Sequence, residues 1–439
     1  MGFVPVRKPP WLAWALWDCG ATGLNAITIS FVFSVYLTAS VGASAGQSSA
    51  SWLGRAMAVA GIAVALLAPL TGSSITDPRR RRLALIILSG TVAALTASMS
   101  LIRDDPRYLW AGLALLAVTA ACSDLATVPY NAMLRSVTTP ATAGRVSGFG
   151  LAAGYLGSVA LLLLVYVGFI AGDGDNAGLL GLPKADGVNV RAAMLLTAAW
   201  FVLFALPLLR KSPAPMVDES AAALPDGAVR GFRQLRADLI AEWRRDRNIV
   251  YYLLASAVFR DGLTGVVAFG AVLGVKVYGI SAADVLLFGV TASTVAAIGA
   301  ALGGLLDEPV GSKPLILGSL ASMIAVGVVL LVLSGPLAFW VCGLLLCLFI
   351  GPVQSSARTL LLRMSATDKE GLAFGLYTTT GRAATFLAPT LFFTFVDLFG
   401  ADRAGLGGLL VVLAAGFLAM VPIRSPKDPE DINSEIAAT

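Results

Sequence analysis

Six ionisable side chains stand inside long apolar runs: Asp18, Asp124, Arg260, Asp261, Arg358 and Arg382. At the centre of a membrane helix an unpaired Arg or Asp costs about 2.5 to 3.5 kcal/mol, so each must be paired or put to use. Arg260 and Asp261 are neighbours in "ASAVFRDGLTG", and neighbours on a helix project about 100° apart. They cannot fully neutralise one another, and each is expected to find a partner on another helix: Asp18 for Arg260, Arg382 for Asp261, and Arg358 for Asp124. As buried ion pairs these charges would fix helix register with little net gain in stability. As a binding set, arginine would take a solute carboxylate and aspartate a solute ammonium, which fits an amino acid and, almost as well, any small zwitterion or sugar acid. The chain has no histidine and no lysine mid-span, so a proton exchanged near neutral pH must ride on a carboxylate, with Asp18 first, then Asp261, then Asp124.

Uncharged candidates stand close by in the sequence. Asn25 follows Asp18 by seven residues and shares its helical face, either lining a cavity or acting as glue between helices. Tyr130 and Asn131 in "VPYNAML", and Gln354 in "GPVQSS", fall toward one end of their helices. There they gate a mouth or cap carbonyls freed by Pro129 and Pro352. Gly150, Gly154 and Ser158 recur every four residues, the small-residue spacing of close helix contact, read here as packing between the two halves of the chain. Arg55 lies a few residues into its helix and can snorkel to the interface.

The elements that must hold these residues are membrane spans. The chain is 439 residues long, 57% hydrophobic and 13% charged, with a mean hydropathy of +0.82, outside the range of soluble domains. At about 20 apolar residues per crossing, twelve spans are expected, at 11–39, 52–75, 83–102, 108–133, 146–171, 191–209, 249–275, 284–306, 314–334, 336–360, 371–398 and 404–423. The runs are continuous, without the period-two alternation of a membrane barrel. Cys19, Cys122, Cys342 and Cys347 lie in apolar runs, which argues for packing rather than a disulfide or zinc framework. Arg7 and Lys8 precede the first run without a small-residue cleavage site, so that run is read as an uncleaved span. The five excess positive charges sit in short loops. Membrane topology explains them better than nucleic acid does: with both termini cytoplasmic, about 21 Lys and Arg fall on the inner side and about six on the outer.

The longest loop, 210–248, divides the spans six and six, giving an N-terminal bundle over 1–209, a C-terminal bundle over 249–423 and a tail over 424–439. Within the loop, Phe232, Leu235, Leu239, Ile240 and Trp243 share one helical face with arginines over the rest, the pattern of a helix lying on the membrane surface. The halves repeat each other. "GSSITDPRRRR" closes span 2 and "GGLLDEPVGSKP" closes span 8, each with an acid (Asp77, Asp307) before turn residues and cations such as Arg79 and Lys313. "WALWDCG" in span 1 echoes "AVFRDG" in span 7, aligning Asp18 with Asp261, as parallel repeats require.

With these residues in view, the sequence resembles the major facilitator superfamily. The two loop motifs look like its signature, with Gly303, Asp307, Gly311 and Lys313 keeping the family spacing, while Ser73 and Pro78 depart from it. Four further stretches resemble the "unknown major facilitator" family related to fungal vacuolar amino-acid effluxers: "WALWDCGATGLNAITISFVFSVYL", "VPYNAMLRSVTTPATAGRVSGFGLAAGYLGS", "FRDGLTGVVAFGAVLG" and "GPVQSSARTLLLRMSATDKEGLAFGLY". Cys19 and Ser356-Ala357 depart from the pattern. The resemblance implies an all-α membrane fold of twelve helices in two pseudo-symmetric six-helix bundles, with spans 1, 4, 7 and 10 around a central cavity. It also implies a secondary transporter of small solutes, amino acids foremost.

Taken together, the expectation is a transporter rather than an enzyme, multi-pass in the plasma membrane, moving a small polar solute by alternating access, with protons as the coupling partner and export or exchange as its direction. It is expected to work as a monomer in the lipid bilayer, with no cofactor, no metal and no nucleic acid. The substrate and proton path would run through Asp18, Asn25, Asp124, Arg260, Asp261, Arg358 and Arg382, and the cytoplasmic gate through Asp77, Arg79, Tyr130, Asn131, Asp307, Lys313 and Gln354. A cation-coupled sugar symporter and a drug or lipid-like effluxer are the alternatives; the first lacks a span 2 carboxylate before Asp77. No metalloprotease or nucleophile motif and no GxxxxGK[ST] loop is present.

Overall fold

The computed structural model describes residues 10–43, 49–75, 77–172, 174–210 and 244–425, with residues 237, 240 and 241 between. The amphipathic stretch expected around Phe232 to Trp243 and most of the tail lie outside the described residues. Eleven helices among the described residues are long and apolar enough to cross a membrane, and a shorter apolar helix, Ala404–Met420, supplies a twelfth. In order, spans 1 to 6 are Pro10–Val41, Ser49–Ser74, Pro78–Leu101, Pro106–Ala132, Ala143–Ile170 and Ala185–Arg210. Spans 7 to 12 are Arg247–Lys276, Ala282–Val310, Ser312–Val332, Pro336–Met364, Glu370–Phe399 and Ala404–Met420. The chain enters span 1 and leaves span 12 on one face of the bundle, here the terminal side; the other face is the far side.

Local chemistry sets the span ends. Asp77 caps span 3 by accepting from Arg79 N at 3.0 Å, with Pro78 in the first turn. Asp246 does the same for span 7 through Asn248 N at 2.9 Å, and Ser281 for span 8 through Asp284 N at 3.1 Å. Such caps satisfy first-turn N–H groups that have no carbonyl within their helix. Gly311, at φ 91°, turns span 8 into span 9, a conformation a side chain would strain.

Two spans are irregular. Span 1 carries π-helical turns at Ala26–Phe31 and Leu37–Val41, closed by five-residue bonds from Val32 N to Ile27 O and from Gly42 N to Leu37 O. Span 11 is two helices, Glu370–Ala384 and Leu387–Phe399.

Neighbour relations repeat with an offset of six. Span 1 packs on spans 5 and 6, as span 7 packs on 11 and 12; span 4 packs on 2 and 3, as span 10 packs on 8 and 9; span 3 packs on 6, as span 9 packs on 12. The result is two like bundles, joined by span 5 against span 8 and span 2 against span 11. Glycines allow the close approach. A Cβ on Gly148 would collide with Ala300 O and Gly304, and one on Gly72 with Gly371.

Candidate functional site

Where the bundles face each other, a polar cavity of about 380 Å³ is lined by span 4 (Asp124, Thr127, Asn131), span 7 (Arg260, Asp261, Thr264), span 10 (Gln354, Arg358) and span 11 (Tyr377, Thr378, Arg382, Thr385). Asp124 and Arg382 form an ion pair across the bundles. The guanidinium of Arg260 lies 3.7 Å from the centroid of the Tyr377 ring and donates to Tyr377 O at 2.8 Å. It fits there because Gly381 has no side chain to fill the space; a Cβ would come within 2.9 Å of Arg260 Nη1. Asp261 is 4% exposed and accepts from Ala388 N at 2.6 Å.

Beside this cavity a second charge pair joins the bundles. Asp18 Oδ2 lies 3.7 Å from Arg358 Nη1, and Asp18 Oδ1 accepts from Thr22 Oγ1 at 3.3 Å. The Arg358 guanidinium stands 5.3 Å from the Trp14 ring and 5.9 Å from the Tyr130 ring. Asp18 Oδ2, Arg358 Nη1 and the Tyr130 hydroxyl are all buried without a hydrogen-bond partner.

These pairings correct the expected ones. Arg260 meets Tyr377 rather than Asp18, Asp261 meets a backbone N–H rather than Arg382, and Asp124 meets Arg382 rather than Arg358. The divergence of Arg260 and Asp261 holds, but both reach span 11. One residue of helix rotation turns a side chain by about 100°, so sequence position locates a charge along the membrane normal and leaves its bearing to the packing.

The uncharged candidates separate. Asn25 accepts from Ser123 Oγ at 3.0 Å, joining spans 1 and 4 of one bundle, and does not line the polar cavity. Asn131 and Gln354 do line it. Tyr130 is 1% exposed and sandwiched between Trp14 and Trp17, with centroids at 4.4 and 4.2 Å; Trp14 Nε1 donates to its carbonyl at 2.9 Å. Gly150 packs on Trp14, and Gly154 on Thr22, so these two glycines serve contacts within the N-terminal bundle rather than between the halves as expected.

The terminal side is shut by charges that motif spacing did not single out. Glu370, at the start of span 11, meets Arg81 at 3.4 Å and pairs with Arg135, and Arg135 also donates to Leu362 O and Ser365 O. Arg145 meets Glu308 at 3.0 Å, and Ser147 Oγ donates to Ser355 O at 2.9 Å. Of the loop-motif residues, Asp307 is fully buried and bound to Arg363 at 2.8 Å and Ser312 at 3.0 Å. Lys313 donates to Val421 O at 2.8 Å, at the end of span 12. Asp77 serves as the helix cap already described, with Arg79 N its donor. Toward the far side an apolar chamber of about 250 Å³ is lined mostly by the C-terminal bundle, including Val266, Phe288 and Ile350, with Phe31 and Tyr155 of the N-terminal bundle completing its wall.

The family described as "vacuole effluxer Atg22 like" matches residues 135–432, more than half of the chain. The chain belongs to this family. An uncharacterized MFS-type transporter of Bacillus subtilis (strain 168), YxiO, is 24% identical to this Atg22-like chain over 429 residues, 95% of each. Among solved structures, FucP in its outward conformation matches with a TM-score of 0.70 at 14% identity, covering 96% of this chain and 99% of that one. The proton:xylose symporter XylE matches at 0.69 and 13% identity, with 97% of each chain covered. A bacterial homologue of ferroportin in its outward-facing state matches at 0.65 and 15%, with 94% and 97% covered. At such identities the structures establish the fold: twelve helices in the major facilitator arrangement. The Atg22-like chain is thus a multi-pass membrane transporter of the major facilitator superfamily and not an enzyme.

Proposed function

We propose that this transporter moves a small zwitterionic solute, an amino acid or a similar metabolite, by proton-coupled alternating access, with export or exchange as its direction. The observation that carries the reading is the ion pair between Asp124 and Arg382, which spans the two bundles inside the polar cavity with the Arg260 guanidinium on the same wall. A solute carboxylate would engage the guanidinium of Arg260 or Arg382, and its ammonium Asp124, replacing a contact between bundles with contacts through the solute. Binding would then favour the state in which the bundles close around it, as alternating access demands.

Asp18 is the proposed proton carrier. It faces Arg358 across the bundles, and its Oδ2 has no hydrogen bond to lose on protonation. A protonated Asp18 releases its hold on Arg358 and with it one tie between the bundles. The terminal side is assigned to the cytoplasm because the arginine-rich loops lie there, in the plasma membrane, with bundles over 1–209 and 249–423 and a monomer as the working unit. Asp77, Arg79, Asp307 and Lys313 would then border the cytoplasmic mouth.

The test is a thermal-shift screen of the purified protein against amino acids, analogues lacking either the ammonium or the carboxylate, and neutral sugars, followed by uptake into proteoliposomes under an imposed pH gradient. Amino acids should raise the melting midpoint, and each truncated analogue should lose the effect. Stabilisation by sugars alone would sink the solute reading. Unchanged pH-driven uptake in Asp18→Asn would sink the coupling role.

A further inference from the structure

Span 11 breaks at Thr385–Phe386, and the sequence explains why. Pro389 has no N–H to donate to Thr385 O four residues back, and its ring occupies the space that bond would need. The two segments, an inner one over Glu370–Ala384 and an outer one over Leu387–Phe399, differ in what else they hold besides span 7. The inner one is tied to the N-terminal bundle: Thr379 Oγ1 donates to Ala65 O at 3.1 Å and Arg382 pairs with Asp124. It also packs along span 7, with Leu372, Ala373 and Leu376 near Ile249, Val250 and Leu253 and the Arg260 guanidinium over Tyr377. The outer one belongs to its own bundle, with Phe392 stacked on Phe269 of span 7 at 4.0 Å and 9°. Ala388 N lies in the first turn of the outer segment, where N–H groups have no partner within the helix, and Asp261 supplies one at 2.6 Å. Gly265, one turn further along span 7, permits the approach: a Cβ there would come within 2.6 Å of Ala388 Cβ.

We propose that Asp261 is the positioning residue of a hinge in span 11, its carboxylate capping the outer segment so that the inner segment pivots at residues 385–386 while the outer stays on span 7. The proposal goes beyond the solute reading and removes Asp261 from the candidate proton carriers. The Arg260 guanidinium is turned to Tyr377 and Arg382 to Asp124, so the carboxylate is engaged by the helix end rather than by either cation.

Hydrogen exchange followed by mass spectrometry tests this on the whole protein without any ligand. Asp261→Asn keeps an acceptor oxygen, so exchange across 387–392 should stay within about two-fold of wild type. Asp261→Ala should accelerate it roughly ten-fold or more while 370–384 is unchanged. Pro389→Ala restores the missing donor and should slow exchange at 385–390. In proteoliposomes given a mixture of radiolabelled amino acids, Asp261→Ala and Pro389→Ala should each lower the maximal rate about ten-fold with little change in KM, and Asp261→Asn should keep the wild-type pH profile. The hinge is overturned if Asp261→Ala leaves exchange at 387–392 unchanged, if both segments loosen alike, or if Pro389→Ala alters neither exchange nor rate. Loss of the pH response in Asp261→Asn would instead make Asp261 a proton carrier. Should wild type move none of the amino acids, the solute reading fails and the exchange measurements still decide on the hinge.

Discussion

Arg260 shows how much one side chain commits to its surroundings. Its guanidinium lies over the Tyr377 ring and donates to the Tyr377 carbonyl, a combination that a planar, many-donor guanidinium suits better than a lysine ammonium. Arg260→Lys should therefore raise KM for the transported solute about ten-fold while the maximal rate changes less, as initial-rate uptake across solute concentrations would measure. The ion pair of Asp124 and Arg382 is open to its cavity, with side chains 25% and 36% exposed, so its coupling is smaller than that of a dry pair. A double-mutant cycle of Asp124→Asn and Arg382→Gln, read by thermal unfolding, should give about 1 to 2 kcal/mol, with the double variant more stable than the sum of the singles implies. The types and depths of these charges were legible from desolvation cost alone. Their partners were not: Asp18 meets Arg358 and Asp261 meets a backbone donor because helix rotation, which no local pattern records, decides what each side chain faces.

Twelve apolar runs translate into twelve helices among the described residues, with ends at most six residues from expectation, because bilayer thickness sets a length that composition must match. The π turns of span 1 left no mark in "AITISF". The break in span 11 did leave one, Pro389, whose effect four residues upstream follows from backbone chemistry. Span 5 shows a pattern whose use was only partly legible. Its four-residue spacing of small residues packs Gly150 and Gly154 within the N-terminal bundle, whereas Gly144 and Gly148, two residues out of step with that stripe and so on another face, meet Asp307, Ala300 and Gly304 of span 8. A side chain at 148 must push spans 5 and 8 apart. Gly148→Val is expected to destabilise the closed terminal side by about 1 to 3 kcal/mol, seen as faster maleimide labelling of a cysteine placed in the cavity and reached from that side. Gly61→Val, where the added Cβ meets nothing within 4 Å, should label as wild type does.

At the scale of the whole molecule, the repeat announced by the two loop motifs is real in architecture and unequal in chemistry. Asp307 is buried on Arg363, while Asp77 caps a helix, and the tie between bundles near span 2 is made instead by Arg81 and Arg135 on Glu370. Arg135 and Glu370 lay within stretches that marked the family, yet only the fold brings them together. Glu370→Gln keeps the shape and removes the charge that two guanidiniums share. A loss of about 2 kcal/mol from the closed terminal side would shift the balance of states roughly thirty-fold, and the distance between spin labels on spans 5 and 8 near that side should lengthen accordingly. The apolar chamber on the far side carries a consequence of a different kind. Walls such as Phe31, Val266, Phe288 and Ile350 give water few partners, so a bare inorganic ion crossing this chamber would have to shed much of its hydration shell. Reconstituted in a planar bilayer with the far side open, the carrier should therefore pass no measurable current of sodium or potassium, and Val266→Asp should make it leak.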